Sequence, residues 1–189
     1  NIMYTEEQKK KILSISRKTL EYYFSTRKKL EVSIEEINDP DLFEKRGTFV
    51  TLTKRGNLRG CIGTILPIKP LILDVIDNTL NAAFRDPRFP PLEKWEMEDL
   101  EIEISILTVP EKLEFSDLND LLEKLKPGID GVIIRKGPYQ ATFLPQVWEE
   151  LPDKELFLAH LCAKAGLPPD SYKNPLNLEV YTYQAEIIN

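Results

Sequence analysis

Cysteine, histidine and long apolar runs are what this sequence has least of. Cys61 and Cys162 are its only cysteines, too few for a disulfide framework. His160 is its only histidine, and the clustered ligands of a zinc site are missing; no metal and no cofactor are expected. The apolar run after residue 60 is broken by Pro67, Lys69, Pro70 and Asp74, short of the roughly 20 residues that a membrane helix needs. With no secretory leader in view, a cytoplasmic location is expected. Asn1 and Ile2, ahead of Met3, read as a remnant without structural meaning. There is no basic excess either: 25 Lys and Arg stand against 31 Asp and Glu, a net charge of −6. A dedicated nucleic-acid binder would need a dominant basic face. Walker loop, dinucleotide fingerprint, nucleophile elbow and zincin helix are all lacking, which disfavours the common cofactor enzymes.

What is present is a globular composition. The chain has 189 residues, 42% hydrophobic and 30% charged, enough for one medium domain or two small lobes. Residues 1–30 hold eight basic side chains, Lys9, Lys10, Lys11, Arg17, Lys18, Arg27, Lys28 and Lys29, against Glu6, Glu7 and Glu21. That imbalance reads as a solvated helix face in preference to an interaction patch.

Periodicity predicts the elements. A helix is expected over 5–26, capped by Thr5, with Ile12, Ile15, Thr19 and Tyr23 inward. A strand over 48–53 and the turn Lys54-Arg55-Gly56-Asn57 lead into a second strand. After Pro67 and Pro70, the residues Ile72, Val75, Ile76, Thr79, Leu80 and Ala83 mark an amphipathic helix, with Asp74, Asp77 and Asn81 on its polar side. Leu100, Ile102, Ile104 and Ile106 alternate as a half-buried strand. Ser116 is expected to cap a short helix through Leu118, Leu121, Leu122 and Leu125. Paired strands over 132–135 and 140–144, a helix over 154–165 and one closing strand over 178–188 complete the reading. Helices and hairpins in this mixed order predict an α+β fold with antiparallel sheets. Crossings near Pro110 and in the 168–175 region would make the chain two unequal subdomains: 1–110 with 173–189, and an inserted 111–172.

The segment Leu58-Arg59-Gly60-Cys61-Ile62-Gly63-Thr64 stands out because it puts two glycines and a cysteine into a strand. Glycine there marks a bulge or a close approach. Strict alternation puts Leu58, Gly60, Ile62 and Thr64 on one face and Arg59, Cys61 and Gly63 on the other. Arg59 would then neighbour Cys61 and favour its thiolate, supporting a nucleophile or an anion site. The plainer alternative is a small apolar cysteine filling a gap. His160 lies about 200° around its helix from Leu158, so it points away from Cys162 and reads as a surface residue. The stiff loop Arg85-Asp86-Pro87-Arg88-Phe89 either binds an anion through both arginines, with Asp86 orienting one, or is a local ion-pair knot.

The seven-residue segment resembles the hallmark motif of the AMMECR domain family. AAFRDPRFPPL from Ala82, ISILTVPE from Ile104, GIDGVIIRKG from Gly128, ATFLPQVWEELPDK from Ala141 and LCAKAGLPPD from Leu161 are similar to that family too, so the resemblance covers essentially the whole chain. It implies an α+β domain of two unequal subdomains separated by a cleft, with both termini in the larger. By carry-over, Arg59, Cys61, Ile62 and the flanking Gly60 and Gly63 would line the cleft; Leu58, Thr64, Arg85, Asp86, Arg88 and Phe89 are further candidates to line it. It also implies company with Memo-type and radical S-adenosylmethionine proteins, hence a shared modification pathway; two cysteines cannot hold an iron–sulfur cluster, so radical chemistry would belong to a partner. Two functions follow. One is an enzyme or enzyme subunit acting through Cys61 on a protein or peptide substrate. The other is a non-catalytic adaptor docking a partner or small ligand. Nonspecific RNA binding through the basic first helix is a weaker third.

Overall fold

A computed structural model describes residues 3–189, which leaves the reading of Asn1 and Ile2 outside the described residues. The chain divides into two compact units, one running to Val109 and taking back Glu186–Asn189, the other spanning Pro110–Ala185. The fold is α+β, with a four-stranded sheet in each unit.

In the first unit, α1 (Glu6–Thr26) begins in a capping box, Thr5 and Gln8 each accepting the other's backbone amide. Its apolar stripe buries Ile12, Ile15, Thr19 and Leu20. Strands β1 (Thr48–Lys54) and β2 (Asn57–Thr64) form the expected hairpin. Arg55 and Gly56 turn it at φ 52° and 79°, positive values that suit a tight two-residue hairpin turn. A short helix α2 (Ile34–Ile37) precedes β1, and α3 (Leu71–Phe84) follows Pro70. Strand β3 (Leu100–Leu107) pairs antiparallel with β1, so β1 lies between β2 and β3. Val50, Leu52 and Ile104 point from the sheet into one core with Ile12, Leu20, Ile72, Val75 and Ile76. Helix α1 is tied to β3 by Arg17, whose guanidinium donates to the Leu100 carbonyl at 2.6 Å.

The second unit holds β4 (Glu111–Lys112), α4 (Leu118–Lys124), β5 (Gly131–Lys136), β6 (Tyr139–Phe143), α5 (Lys154–Lys164) and β7 (Glu179–Tyr183), its sheet ordered β4-β7-β5-β6. Phe157 stacks on Trp148 with ring centroids 3.6 Å apart, at the centre of a core that includes Leu121, Val132, Ile134, Leu161 and Val180. The cap of α4 is Asp117, not Ser116: the Asp117 carboxylate takes the Asp120 amide, while Ser116 donates to Asp120.

The single closing strand expected over 178–188 is two strands. β7 belongs to the second sheet, and β8 (Ala185–Ile188) runs beside β3 in the first. The chain therefore returns to the first unit at residue 186, not at 173. Residues 173–185 stay in the second unit because β7 is the strand that joins β5 to β4. An alternating run carries no mark of which sheet each half will join.

Both functions of a strand glycine occur in β2. Pairing with β1 slips between Leu52 and Thr53, leaving Arg59 as the unpaired extra residue of a bulge. One residue on, a Cβ at Gly60 would collide with the carbonyl oxygen of Ala82 on α3. Gly60→Ala should therefore cost about 2–3 kcal/mol, whereas Gly56→Ala, with open space but a positive φ, should cost about 1 kcal/mol. Urea unfolding of the two variants checks this, and equal losses would contradict close packing at Gly60.

Candidate functional site

Strand β2 is the edge of its sheet, and its outer backbone groups need partners from elsewhere. At Cys61 they come from the loop after α3. The Cys61 amide donates to Asp86 Oδ2 at 3.0 Å, and the Cys61 carbonyl accepts from Arg88 Nη2 at 3.4 Å. Arg88 grips the same carboxylate through Nε and Nη2 at 3.0 and 2.7 Å, and its amide donates to Oδ1. Asp86 is 4% exposed. Hydrogen bonds from Arg88, with the Cys61 and Arg88 amides, hold its carboxyl far below the usual carboxylate range despite burial. Between the two readings of this loop, the geometry is that of an ion-pair knot. Asp86 orients Arg88, and Arg85 is exposed at the end of α3 with no bond to Asp86 among the described residues. Phe89 lies beneath both Arg59 and Arg88, 6.0 and 5.5 Å from their guanidinium carbons.

Arg59 does not serve Cys61. Its Nε and Nη2 donate to the two oxygens of Glu96 at 2.9 and 3.1 Å, and both side chains are about nine-tenths buried. Lys54 adds a bond to Glu96 Oε1 at 3.2 Å and lays its ammonium over the Trp95 ring. Led by Arg59, then by the Glu93 amide and Lys54, these donors bring the Glu96 carboxyl down to about 2. The bulge also breaks the expected alternation: Leu58 lies opposite Thr53 and Gly60 opposite Leu52, so those two residues face opposite ways.

From Gly60 onward the alternation holds. Gly60 meets α3, and half-buried Ile62 packs on the core with Val50. Cys61 and Gly63 face the other way, opposite Thr51 and Phe49. Cys61 Sγ lies 3.2 Å from Thr51 Oγ1. Thr64, the exposed last residue, donates to Asp74 on α3 at 2.7 Å. Asp74 was expected on the polar side of its helix. Instead it is buried, taking bonds from Thr48, Thr64 and Asn78; burial pushes its carboxyl up against those donors. In the second unit, His160 is exposed on α5 and Cys162 is buried, its thiol pushed up by burial.

Glu96, Lys54, Thr51 and Asp74 escaped the sequence reading as site residues. Glu96 sits on a 3₁₀ turn, Lys94–Asp99, that no periodicity announces. Asp74 and Asn78 did leave a signal, a polar i,i+4 pair beside the apolar stripe. Among the described residues, no three His, Cys, Asp or Glu are placed to share a metal ion, and no helix is long and apolar enough to cross a membrane.

Two antiparallel four-stranded sheets, each with its own helices, define an α+β protein whose first unit carries a clamped cysteine strand. The chain belongs to the AMMECR1 family, whose model matches residues 13–188. A protein of Methanothermobacter thermautotrophicus is 41% identical over 187 residues, covering 98% of this chain and 95% of that one. Protein PF1979 of Pyrococcus furiosus is 42% identical over 182 residues, covering 93% and 85%. The crystal structure of the uncharacterized protein PH0010 from Pyrococcus horikoshii matches with a TM-score of 0.86 at 40% identity, covering 97% of this chain and 91% of that one.

The Arg59–Glu96 pair sets an acid limit on stability. A carboxyl lowered from 4.5 to about 2 contributes stability that is fully present above its unfolded value and lost as pH falls through the folded one, about 3 kcal/mol in all. Glu96→Gln should therefore be less stable than the parent by about 3 kcal/mol at pH 7, with the gap closing between pH 4.5 and 2. Urea unfolding at several pH values measures it; a gap independent of pH would reject the ion pair as its source.

Proposed function

We propose that this protein is an enzyme or enzyme subunit whose nucleophile is Cys61, acting on a protein or peptide substrate. The observation that carries this reading is the clamp on the Cys61 backbone. Asp86 and Arg88 hold both of its main-chain polar groups, while its thiol is half-buried and, among the hydrogen-bonding groups of the described residues, touches only the hydroxyl of Thr51. Charge-assisted bonds that fix the Cys61 backbone fix where its side chain leaves the strand, which preorganises the thiol for attack on an incoming electrophile. The glycines around it seat the strand: the Cβ position of Gly60 is taken by the Ala82 carbonyl and that of Gly63 by the Phe49 ring. Leu58, which lies opposite Thr53 on the same face as Cys61, would frame the substrate. Memo-type and radical S-adenosylmethionine proteins are the partners proposed on the family resemblance, in a shared cytoplasmic modification pathway.

A second reading, a non-catalytic adaptor, is favoured by a separate feature. An open groove of about 1040 Å³ runs between α1 and the 92–98 segment, lined by Phe24, Arg27, Leu92, Trp95 and Met97. Trp95 is 66% exposed there, as an aromatic anchor for a partner would be.

Native-state alkylation with iodoacetamide separates the two. The enzyme reading expects one adduct on Cys61 in the folded protein and none on Cys162, which is fully buried. Cys61→Ser should remove the adduct and cost no more than about 1 kcal/mol in stability. Labelling of Cys61 only after unfolding would reject the nucleophile and leave the adaptor.

A further inference from the structure

The nucleophile proposed above needs a proton acceptor, and its own unit offers carboxylates. Three carboxylates are bonded to residues of the motif itself. Asp86 is filled by Arg88 and two backbone amides. Glu96 is filled by Arg59, Lys54 and the Glu93 amide. Asp74 is filled by two threonine hydroxyls and Asn78. Glu103 is different: it is half-buried and makes no hydrogen bond or ion pair among the described residues.

Register places that free carboxylate. Thr51 on β1 lies directly opposite Cys61 on β2 and directly opposite Glu103 on β3. The three residues therefore form one row across a single face of the sheet, turned away from the face where Val50, Leu52 and Ile104 enter the core. The amide and carbonyl of Cys61 both point outward to Asp86 and Arg88, so Cys61 and Thr51 are a non-hydrogen-bonded pair, the closer kind, with α-carbons about 4.5 Å apart. That explains the 3.2 Å approach of Sγ to Oγ1. Thr51 and Glu103 are then the wider, hydrogen-bonded pair, about 5.5 Å apart, within reach of a glutamate carboxylate that swings toward the hydroxyl.

Resting on the Cys61 reading, we infer that Glu103 is the proton acceptor of this site and that Thr51 is the relay between them. As the Cys61 sulfur bonds to an electrophilic carbon, its proton passes to Thr51 Oγ1 and the Thr51 proton passes to the Glu103 carboxylate. Thr51 is neutral before and after. Glu103 ends as a carboxylic acid, and the negative charge moves onto the electrophile or its leaving group. The other charged groups near the row are Asp86 and Arg88, which neutralise each other at the Cys61 backbone, Glu101, two residues from Glu103 and opposite Thr53, and Arg17 of α1, which lines an open pocket with Glu101 and Glu103.

The test is the pH profile of Cys61 alkylation by iodoacetamide, resolved by site with mass spectrometry in the full chain. With the relay, the rate below pH 7 should level off and follow titration of a carboxylate, since Glu103 accepts the proton where hydroxide is scarce. Glu103→Gln should slow labelling at pH 6 about tenfold and leave a simple thiolate curve. Thr51→Val should do the same, and Thr51→Ser should restore the plateau. A merely structural threonine would not yield that profile. If Glu103→Gln reacts at the parent rate or faster, as expected when a nearby negative charge only opposes the thiolate, the assignment of Glu103 falls and the nucleophile stands. If Cys61 of the parent is inert until unfolding, the nucleophile and this relay fall together.

Discussion

The closure of an open strand edge is the constraint on which this site depends. Strand β2 has one neighbour, β1, and bare outward amides and carbonyls there would invite pairing with another chain. At Cys61 the protein closes the edge with two side chains from the loop after α3, Asp86 on the amide and Arg88 on the carbonyl. The prolines that stiffen that loop, the helix that delivers it, and the contact of Gly60 with Ala82 that seats the strand on the helix all serve one geometry.

The electrostatics follow from the same arrangement. The charged groups bonded to the motif are neutralised locally: Arg88 by Asp86, Arg59 and Lys54 by Glu96. Buried or half-buried ion pairs of this kind contribute little net energy compared with apolar replacements, yet breaking one partner is costly. They act here as fixed struts. Arg88, offered by the sequence for an anion site, and Arg59, offered as a promoter of the thiolate, are occupied holding backbone and loop in place, which leaves the half-buried thiol with its hydroxyl neighbour.

Much of the first unit could be read in advance because its signals are local. The Thr5 cap, the hairpin turn at Arg55-Gly56, the stripe of α3 and the alternation of β3 each depend on neighbours within a few residues. The partners of the site could not be read this way. Glu96 lies 37 residues from Arg59, and Asp86 lies 25 from Cys61, so no periodicity links them. A one-residue bulge at Arg59 was enough to undo the face assignment of Leu58. The split between β7 and β8 was hidden for the same reason: alternation specifies that a segment is a strand, and the sheet it joins is set by distant partners.

By itself, the sequence determined the α+β class, the position of most helices and strands, the unusual glycine-flanked cysteine and membership of the AMMECR1 family, because these rest on local spacing and on residues that can be compared one by one. Tertiary structure alone decided which carboxylate meets which arginine, where the chain returns to its first sheet, and that Cys61, Thr51 and Glu103 share a row. Those are properties of strand register and long-range packing, in which residues far apart in the chain become neighbours only when the sheet closes.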